Sequence, residues 1–418
     1  MGNGIGGYDL TSRYDRIISF DFDHSGHMDH LAVYRPGTGI FWILRNVGGP
    51  HQFAAVYRST SGIGGHSFTD PRDKVFAFDY DHSGLLDHLV VYRPGTGLIS
   101  VLRNSNGVFS PVFQSNGGGI GTFDLRDDRD EAFAFDYDHS RKLDHIVIYR
   151  PGTGTIWILK NADGKFTPVY QQGDPGSGIG GYDLRRDNDR VIAFDFLRIS
   201  RQDHLLLYRP GTGTVWILKN KDGVFSPVYQ GGGIGGYDLA SVRDRLYAID
   251  FDFNGNMDHV LANRLGEDTL WVLAHSAERW FSPVYQTSES VHGIGGHPLG
   301  PGADYFTPFT FRPNRRRDHL VAYRTHSDGS SLAPETHIIR PSGRGFETVY
   351  TRRELTAVPY LLGYEDLAAA GAQVSVANLV PGKGFSDIQV GARIVGQVPE
   401  PGAMVPTGTS VDITLAVA

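Results

Sequence analysis

Between residues 131 and 171 the apolar positions fall into four short runs, EAFAFDY, HIVIYR, TIWILK and FTPVYQ, separated by the polar stretches DHSRKLD, PGTG and NADG. Runs of this length, rich in aromatic and β-branched residues, predict strands. The Gly-containing stretches between them predict tight turns, because glycine supplies the positive φ that such turns need. No 3.6-residue periodicity crosses the segment, so a helix is not expected. The prediction is a four-stranded antiparallel meander.

The same arrangement recurs along the chain. GIGG or a near copy stands at residues 4, 62, 119, 178, 233 and 293, which defines six units of 55 to 60 residues. Four strands per unit, repeated six times, predict an all-β fold: a six-bladed β-propeller of four-stranded antiparallel blades over residues 4–355. A prism or an open solenoid is the rival, with repeats that are usually shorter. After residue 355 the pattern changes. VPYLLGYEDLAAAGAQVSVANLV reads as turn, short helix and strand, and GQVPEPGAMVPTGTSVDITLAV as two strands around a Pro-Gly turn. Residues 356–418 therefore form a separate small α+β domain.

Composition agrees with many turns and short strands: 54 Gly, 22 Pro, 24 Phe and 20 Tyr in 418 residues. A net charge of −7 without a long basic run argues against nucleic acid as a partner. The absence of cysteine excludes disulfides and thiolate metal sites. No stretch is long and apolar enough for a membrane span, and MGNGIGG lacks a signal-peptide pattern. The chain reads as intracellular or as a mature form with a new start methionine.

The loop between the first two strands carries the clearest candidate chemistry. In DFDHSGHMDH, Asp21, Asp23, Ser25 and Asp29 place oxygens at positions 1, 3, 5 and 9, with Gly26 at the sharp turn. That spacing suits calcium, which takes six to eight hard oxygen ligands. Asp79, Asp81, Ser83 and Asp87 repeat it in unit 2, and Asp250, Asp252, Asn254 and Asp258 in unit 5. Unit 3 keeps Asp136, Asp138, Ser140 and Asp144 but has Arg141 in place of the turn glycine. Units 4 and 6 have lost the pattern, and Arg198, Arg201 and Arg315 to Arg317 are expected to neutralise Asp203 and Asp318 in place of an ion. Structural calcium is thus expected in units 1, 2 and 5.

Other polar residues recur even where those oxygens are lost. Each loop ends in Asp-His, giving His30, His88, His145, His204, His259 and His319. An Arg follows five residues on: Arg35, Arg93, Arg150, Arg209, Arg264 and Arg324. Asp15, Asp73, Asp130, Asp189, Asp244 and Asp304 precede the first strands. These groups either tie the blades together by hydrogen bonds and ion pairs or form a repeated ligand pocket. Trp42, Trp157, Trp216 and Trp271 stand at equivalent places in the third strand, as sugar-stacking faces or as core aromatics.

The unit resembles the VCBS/FG-GAP repeat family through AFDYDHSGLLDHLVVYR and NGVFSPV. The resemblance implies an integrin-like propeller with calcium loops, of a kind found in lectins and adhesion proteins. The C-terminal segment is similar to PASTA domains through VPYLLG and PGAMVPTGTSVDITL, which implies contact with peptidoglycan. Together these imply a bacterial extracellular or cell-surface protein.

Near-identical units suggest near-identical sites, where weak binding gains from avidity. The leading expectation is a non-catalytic, multivalent, lectin-like protein whose partner is a glycan or cell-surface polymer. A protein-interaction module engaging the varied loops HSFTDPRD, FDLRDDRD and ASVRDR is the alternative. An enzyme is not expected: GxSxG, HExxH and phosphate-loop motifs are absent, and the polar residues recur symmetrically.

Overall fold

In each of six sheets, four strands pair antiparallel in chain order. The first sheet is built from Arg16–Phe20, His30–Arg35, Ile40–Asn46 and Phe53–Ser59, and the others occupy residues 74–116, 131–171, 190–232, 244–286 and 303–351. The computed structural model describes residues 4–418 except 48–52, 173–175, 277–279, 289–290, 312–316, 326–334, 344, 352–354, 378, 387–390, 407–409 and 418. The chain divides into two compact units, Met1–Thr351 and Arg352–Ala418.

The six sheets are the blades of a propeller. Their first strands neighbour one another, and the ring closes where Tyr323 Oη accepts the Ile17 N–H at 3.2 Å and Thr307 Oγ1 donates to Ile17 O at 2.9 Å. The second strands, such as HLVVYR at 88–93, read as nearly continuous apolar runs because both faces are covered by adjoining blades. The third and fourth strands shift register at one equivalent place in every blade, for example between Ile217 and Leu218, where Leu218 pairs with Pro227. Proline lacks the N–H that a regular ladder would need there. Ala55 and Thr348 occupy the same place in blades 1 and 6, so the bulge belongs to the fold and the proline is suited to it.

GIGG is a tight reversal. Ile5 and Tyr8 exchange both backbone hydrogen bonds at 2.9 Å, with Gly6 and Gly7 at φ 57° and 91° between them. Two consecutive positive φ values make glycine the low-strain choice. The turn drives Ile5, fully buried, under the sheet.

A first strand has an inner edge with no strand beside it, so its N–H groups need other acceptors. The tyrosine before the recurrent arginine supplies one in blades 2, 3, 4 and 6, whereas blade 5 has Asn263 there, whose Nδ2 donates to Asp304 O at 3.1 Å. Tyr92 Oη accepts from Ala132 N at 2.9 Å, Tyr149 Oη from Val191 N and Tyr208 Oη from Leu246 N at 3.2 Å, each across a blade boundary. A second set of backbone bonds ties the loops: Asp21 N–H to Leu86 O, Asp79 N–H to Leu143 O, Asp136 N–H to Gln202 O, Asp195 N–H to Met257 O and Thr310 N–H to Met28 O.

The C-terminal unit has one helix, Leu367–Val376, whose Asp366 cap accepts from the Ala368 and Ala369 N–H groups. Ala392–Val398 and Ser410–Val417 pair antiparallel, and Val358, Leu361, Val374, Ile394 and Val411 form its core. No described helix is long and apolar enough to cross a membrane.

Tyr149→Phe would leave the Val191 N–H buried without an acceptor. We expect a loss of about 1–3 kcal/mol in urea unfolding, against less than about 0.5 kcal/mol for Tyr360→Phe at an exposed position.

Candidate functional site at the channel mouth

The ninth loop position is the centre of a staple between blades. Asp87 Oδ1 accepts from its neighbour His88 Nδ1 at 2.7 Å and Oδ2 from His24 Nδ1 of the preceding blade at 2.6 Å. Asp144 is held in the same way by His145 and His82, and Asp203 by His204 and His139. In the next blade the cation is Arg198, donating to Asp258 Oδ2 at 2.8 Å and to Asp252 Oδ2 at 2.6 Å. Burial alone would raise these carboxyls. Hydrogen bonds from the imidazoles, and from Asn254 and Arg198 at Asp258, outweigh it and hold them below the usual range. His24, His82, His139 and Arg198 all stand at position 4, on backbone with φ near 60°.

This arrangement decides how well the loops fit calcium. The first-position carboxylates accept backbone N–H groups, as Asp21 does from Ser25 and Gly26 at 3.0 and 2.8 Å. In blades 2, 3 and 4, however, both oxygens of the ninth-position carboxylate already accept from imidazole nitrogens, and in blade 5 a guanidinium spans two expected ligands. Imidazole is not a calcium ligand, and a calcium ion needs those oxygens. In blades 2, 3 and 5 those oxygens are engaged by side chains of the protein, with which an ion would have to share them. Asp23, Asp29 and His30 of blade 1 form a group whose ligand atoms fall within 4.8 Å of one another, as do the equivalent residues of blades 2, 3 and 5, and Asp29 remains partly exposed.

The arginine substitution has a different target from the one expected. Arg198 neutralises the following blade's Asp258 and Asp252 rather than Asp203, whose partners are His139 and His204. Arg315 and Arg316 lie outside the described residues. Arg317 donates to Gln202 Oε1 at 2.8 Å. Arg141 adopts φ 68° in place of glycine, and its N–H still donates to Asp136 Oδ2 at 2.8 Å.

The recurrent arginines are latched inside their own blades. Arg35 donates to Asp15 through Nε at 2.7 Å and Nη2 at 2.9 Å, and Arg93, Arg150, Arg209 and Arg264 repeat the pairing with Asp73, Asp130, Asp189 and Asp244. His30, His88, His145, His204 and His259 are buried. Trp42, Trp157, Trp216 and Trp271 pack edge-on against Tyr8, Phe123, Tyr182 and Tyr237. In the varied loops, Arg72 pairs with Asp128 and Arg129 with Asp187 across blades. In blade 2, where Ser100 stands in place of the tryptophan, Arg93 lines a cavity of about 180 Å³ together with His66, Ser67, Ser100 and Gln114.

A cavity of about 170 Å³ opens where the six loops converge on the axis. The first loop positions contribute buried Asp21, Asp136, Asp195 and Thr310 to its lining. The eighth positions contribute Met28, Leu86, Leu143, Gln202, Met257 and Arg317. Four of these are apolar, and the two polar ones hydrogen-bond to each other between blades 4 and 6. Gln202 also borders an apolar cavity of about 270 Å³ between first strands.

Charges at the mouth are poorly solvated. Burial raises the Asp21, Asp136 and Asp195 carboxyls, and pushes Asp79 and Asp250 up to about 6 against the pull of loop N–H groups. Burial also draws the Arg317 guanidinium down to about 10. Thr310 Oγ1 and Arg201 Nε are buried without a hydrogen-bond partner. Gln202, Thr310 and Arg317 have no like residue at their loop positions in the other blades, whereas Arg141 shares its position with Arg315, and Arg201 its position with Arg316 and the basic Lys142. The expectation that polar residues only recur symmetrically fails here. Their signal in the sequence was the departure of units 3, 4 and 6 from the loop pattern.

No family model matches this chain, and no curated protein does. Solved structures that it is similar to include the β-propeller domain of Cps50 (Swd1) from Myceliophteria thermophila, 12% identical with a TM-score of 0.44 over 84% of this chain and 95% of that one. A Bacteroides uniformis protein described as a 6-phosphogluconolactonase is 12% identical, with a TM-score of 0.42 over 77% and 81%. A periplasmic gluconolactonase of Pseudomonas aeruginosa is 14% identical, with a TM-score of 0.39 over 83% and 92%. The likeness is one of propeller fold. VCBS/FG-GAP and PASTA membership have no family match behind them. The expected non-catalytic, multivalent lectin is corrected: enzymes stand among these propellers, and the repeated polar and aromatic residues are engaged within the protein.

Two outcomes are expected. Asp79 and Asp250 bind protons in the folded chain between about pH 4 and pH 6, where the unfolded chain has released them, so their contribution to stability is lost as pH rises through that window. Asp79→Asn should flatten the fall in melting temperature over that range, and an unchanged slope would refute the raised pKa. Arg198→Ala should melt lower than wild type in chelator and gain a calcium-dependent rise larger than that of wild type, because it frees Asp252 and Asp258.

Proposed function

We propose that the protein acts as a single-site propeller on a small hydroxylated oxyanion held at the channel mouth. The observation that carries this reading is the convergence, on one cavity, of the polar residues that break the sixfold repeat. Arg201 Nε and Thr310 Oγ1 are donors without partners. Arg317 is a guanidinium whose charge burial disfavours. An anionic group supplies what all three lack, since an unpaired buried donor is costly and a charge-assisted bond is strong. Asp21, Asp136 and Asp195 can accept from hydroxyl groups with the lone pairs left over from their loop N–H bonds. Burial raises all three carboxyls, which favours the protonated form that a proton donor needs.

The test is a panel of small hydroxy acids, sugar acids and their esters, followed by thermal shift and by product formation. A ligand that raises the melting temperature of wild type should lose about tenfold or more in affinity in Arg201→Ala and in Thr310→Val, because each removes one buried donor. Val108→Ser, at an exposed strand position, should bind as wild type does. Turnover that survives Asp195→Asn unchanged would remove the proton-transfer role. Binding indifferent to Arg201 and Thr310, or no binding across the panel, would overturn the reading.

A further inference from the structure

Blade 6 departs from the others at a second place, on the face that the GIGG turn covers. In blades 1, 3, 4 and 5 an aromatic ring of the turn meets the third-strand tryptophan edge-on, with centroids 5.5–5.8 Å apart. Blade 6 replaces both partners by histidine. His297 and His337 keep the edge-on geometry, at 5.0 Å and 75°, and are 0% and 5% exposed. The packing is conserved in shape while the chemistry changes. Two imidazoles bring four nitrogens that need partners.

Only half of that need is met. His297 Nε2 pairs with Asp304 Oδ1 at 2.9 Å, and His337 Nε2 with Glu335 Oε1 at 2.6 Å. Nδ1 of both rings is buried with no hydrogen-bond partner. The neighbouring latch is incomplete as well. Arg324 reaches Asp304 through Nη2 at 3.0 Å, and Arg324 Nε and Asp304 Oδ2 are without partners. In blades 1 to 5 the equivalent Nε makes its bond at 2.7–2.8 Å. Orphaned polar atoms collected in one corner point to a bound group that is not protein.

We propose that His297, Glu335 and His337 form a binding site for a divalent transition metal, with zinc as the best-suited ion. Each offers one ligand atom, and the three atoms lie within 4.8 Å of one another. A tetrahedral shell with bonds of about 2.0–2.2 Å needs them roughly 3.3 Å apart, a closure that side-chain rotation supplies. Two imidazoles and a carboxylate select borderline metals over calcium and magnesium, and leave a fourth position for water. The Asp304 carboxylate on His297 Nε2 orients that ring with Nδ1 toward the ion. The site is separate from the channel mouth, and neither proposal depends on the other.

The experiment is zinc titration of the chelator-treated full chain by calorimetry, with cobalt absorption reporting the coordination sphere. We expect one ion per chain and visible cobalt bands of a tetrahedral nitrogen and oxygen site. Glu335→Gln should weaken zinc by roughly 10–100-fold. His337→Trp combined with His297→Tyr restores the aromatic pair of the other blades, so it should keep the fold and lose the ion. Asp81→Asn, in an Asp-Asp-His group of a loop, should leave zinc binding unchanged. No zinc uptake by wild type at micromolar concentration, or zinc affinity unaltered by Glu335→Gln, overturns the proposal, whether or not the double variant folds.

Discussion

One carboxylate holding two blades at once is the interaction on which the ring depends. Asp87, Asp144 and Asp203 each accept from the histidine that starts their own second strand and from the histidine of the preceding loop. A buried carboxylate needs partners for both oxygens. Here one partner fixes it within its blade and the other ties that blade to its neighbour. Losing either donor would leave the remaining pair holding an uncompensated buried charge, which is why such bonds specify geometry more than they add net stability. The tyrosine hydroxyls and the loop amide bonds repeat this logic at other depths of the same boundary.

The staple draws on the same oxygens that a calcium ion would use. A loop with oxygens at positions 1, 3, 5 and 9 can fold around an ion, or around backbone N–H groups with side-chain cations supplying the charge. In blades 2 to 5 the ninth-position carboxylate accepts from a side chain of the preceding loop. Its mark in the sequence is position 4, His24, His82, His139 and then Arg198, a series of side-chain donors whose partners lie in the next repeat. Spacing within one repeat cannot reveal a bond between repeats; aligning repeats and asking what each constant charge faces across the boundary would have.

Much else was legible because it is local. Strand runs and hairpin turns are short-range consequences of apolar alternation and of glycine, and HIVIYR or PGTG form what they predict. The recurrent Arg and Asp, weighed as either a network or a pocket, pair with each other, since Asp15 and its equivalents lie buried near the start of the first strands within reach of the second-strand arginine. The tryptophans settled the same way, against the turn aromatics. The channel mouth was not legible. Arg201 and Thr310 come from blades 4 and 6, and only closure of the ring brings them to one cavity. The C-terminal unit showed its helix and strands through Asp366 and the Pro-Gly turn, whereas nothing in its core residues specifies a ligand.

A repeat protein under sixfold symmetry gives every blade the same environment, so residues that only stabilise should recur. Departures from the repeat are then informative in proportion to their burial, because a buried polar substitution costs stability unless something compensates it. At the loops, Arg198 departs and is compensated fully by Asp252 and Asp258, which makes it part of the scaffold. Thr310 and Arg201 depart and keep unpartnered atoms facing a cavity, and His297 and His337 depart and keep unpartnered nitrogens facing each other's surroundings. A repaired departure has its partners within the chain, whereas an unrepaired one leaves a buried polar atom that a bound group would satisfy.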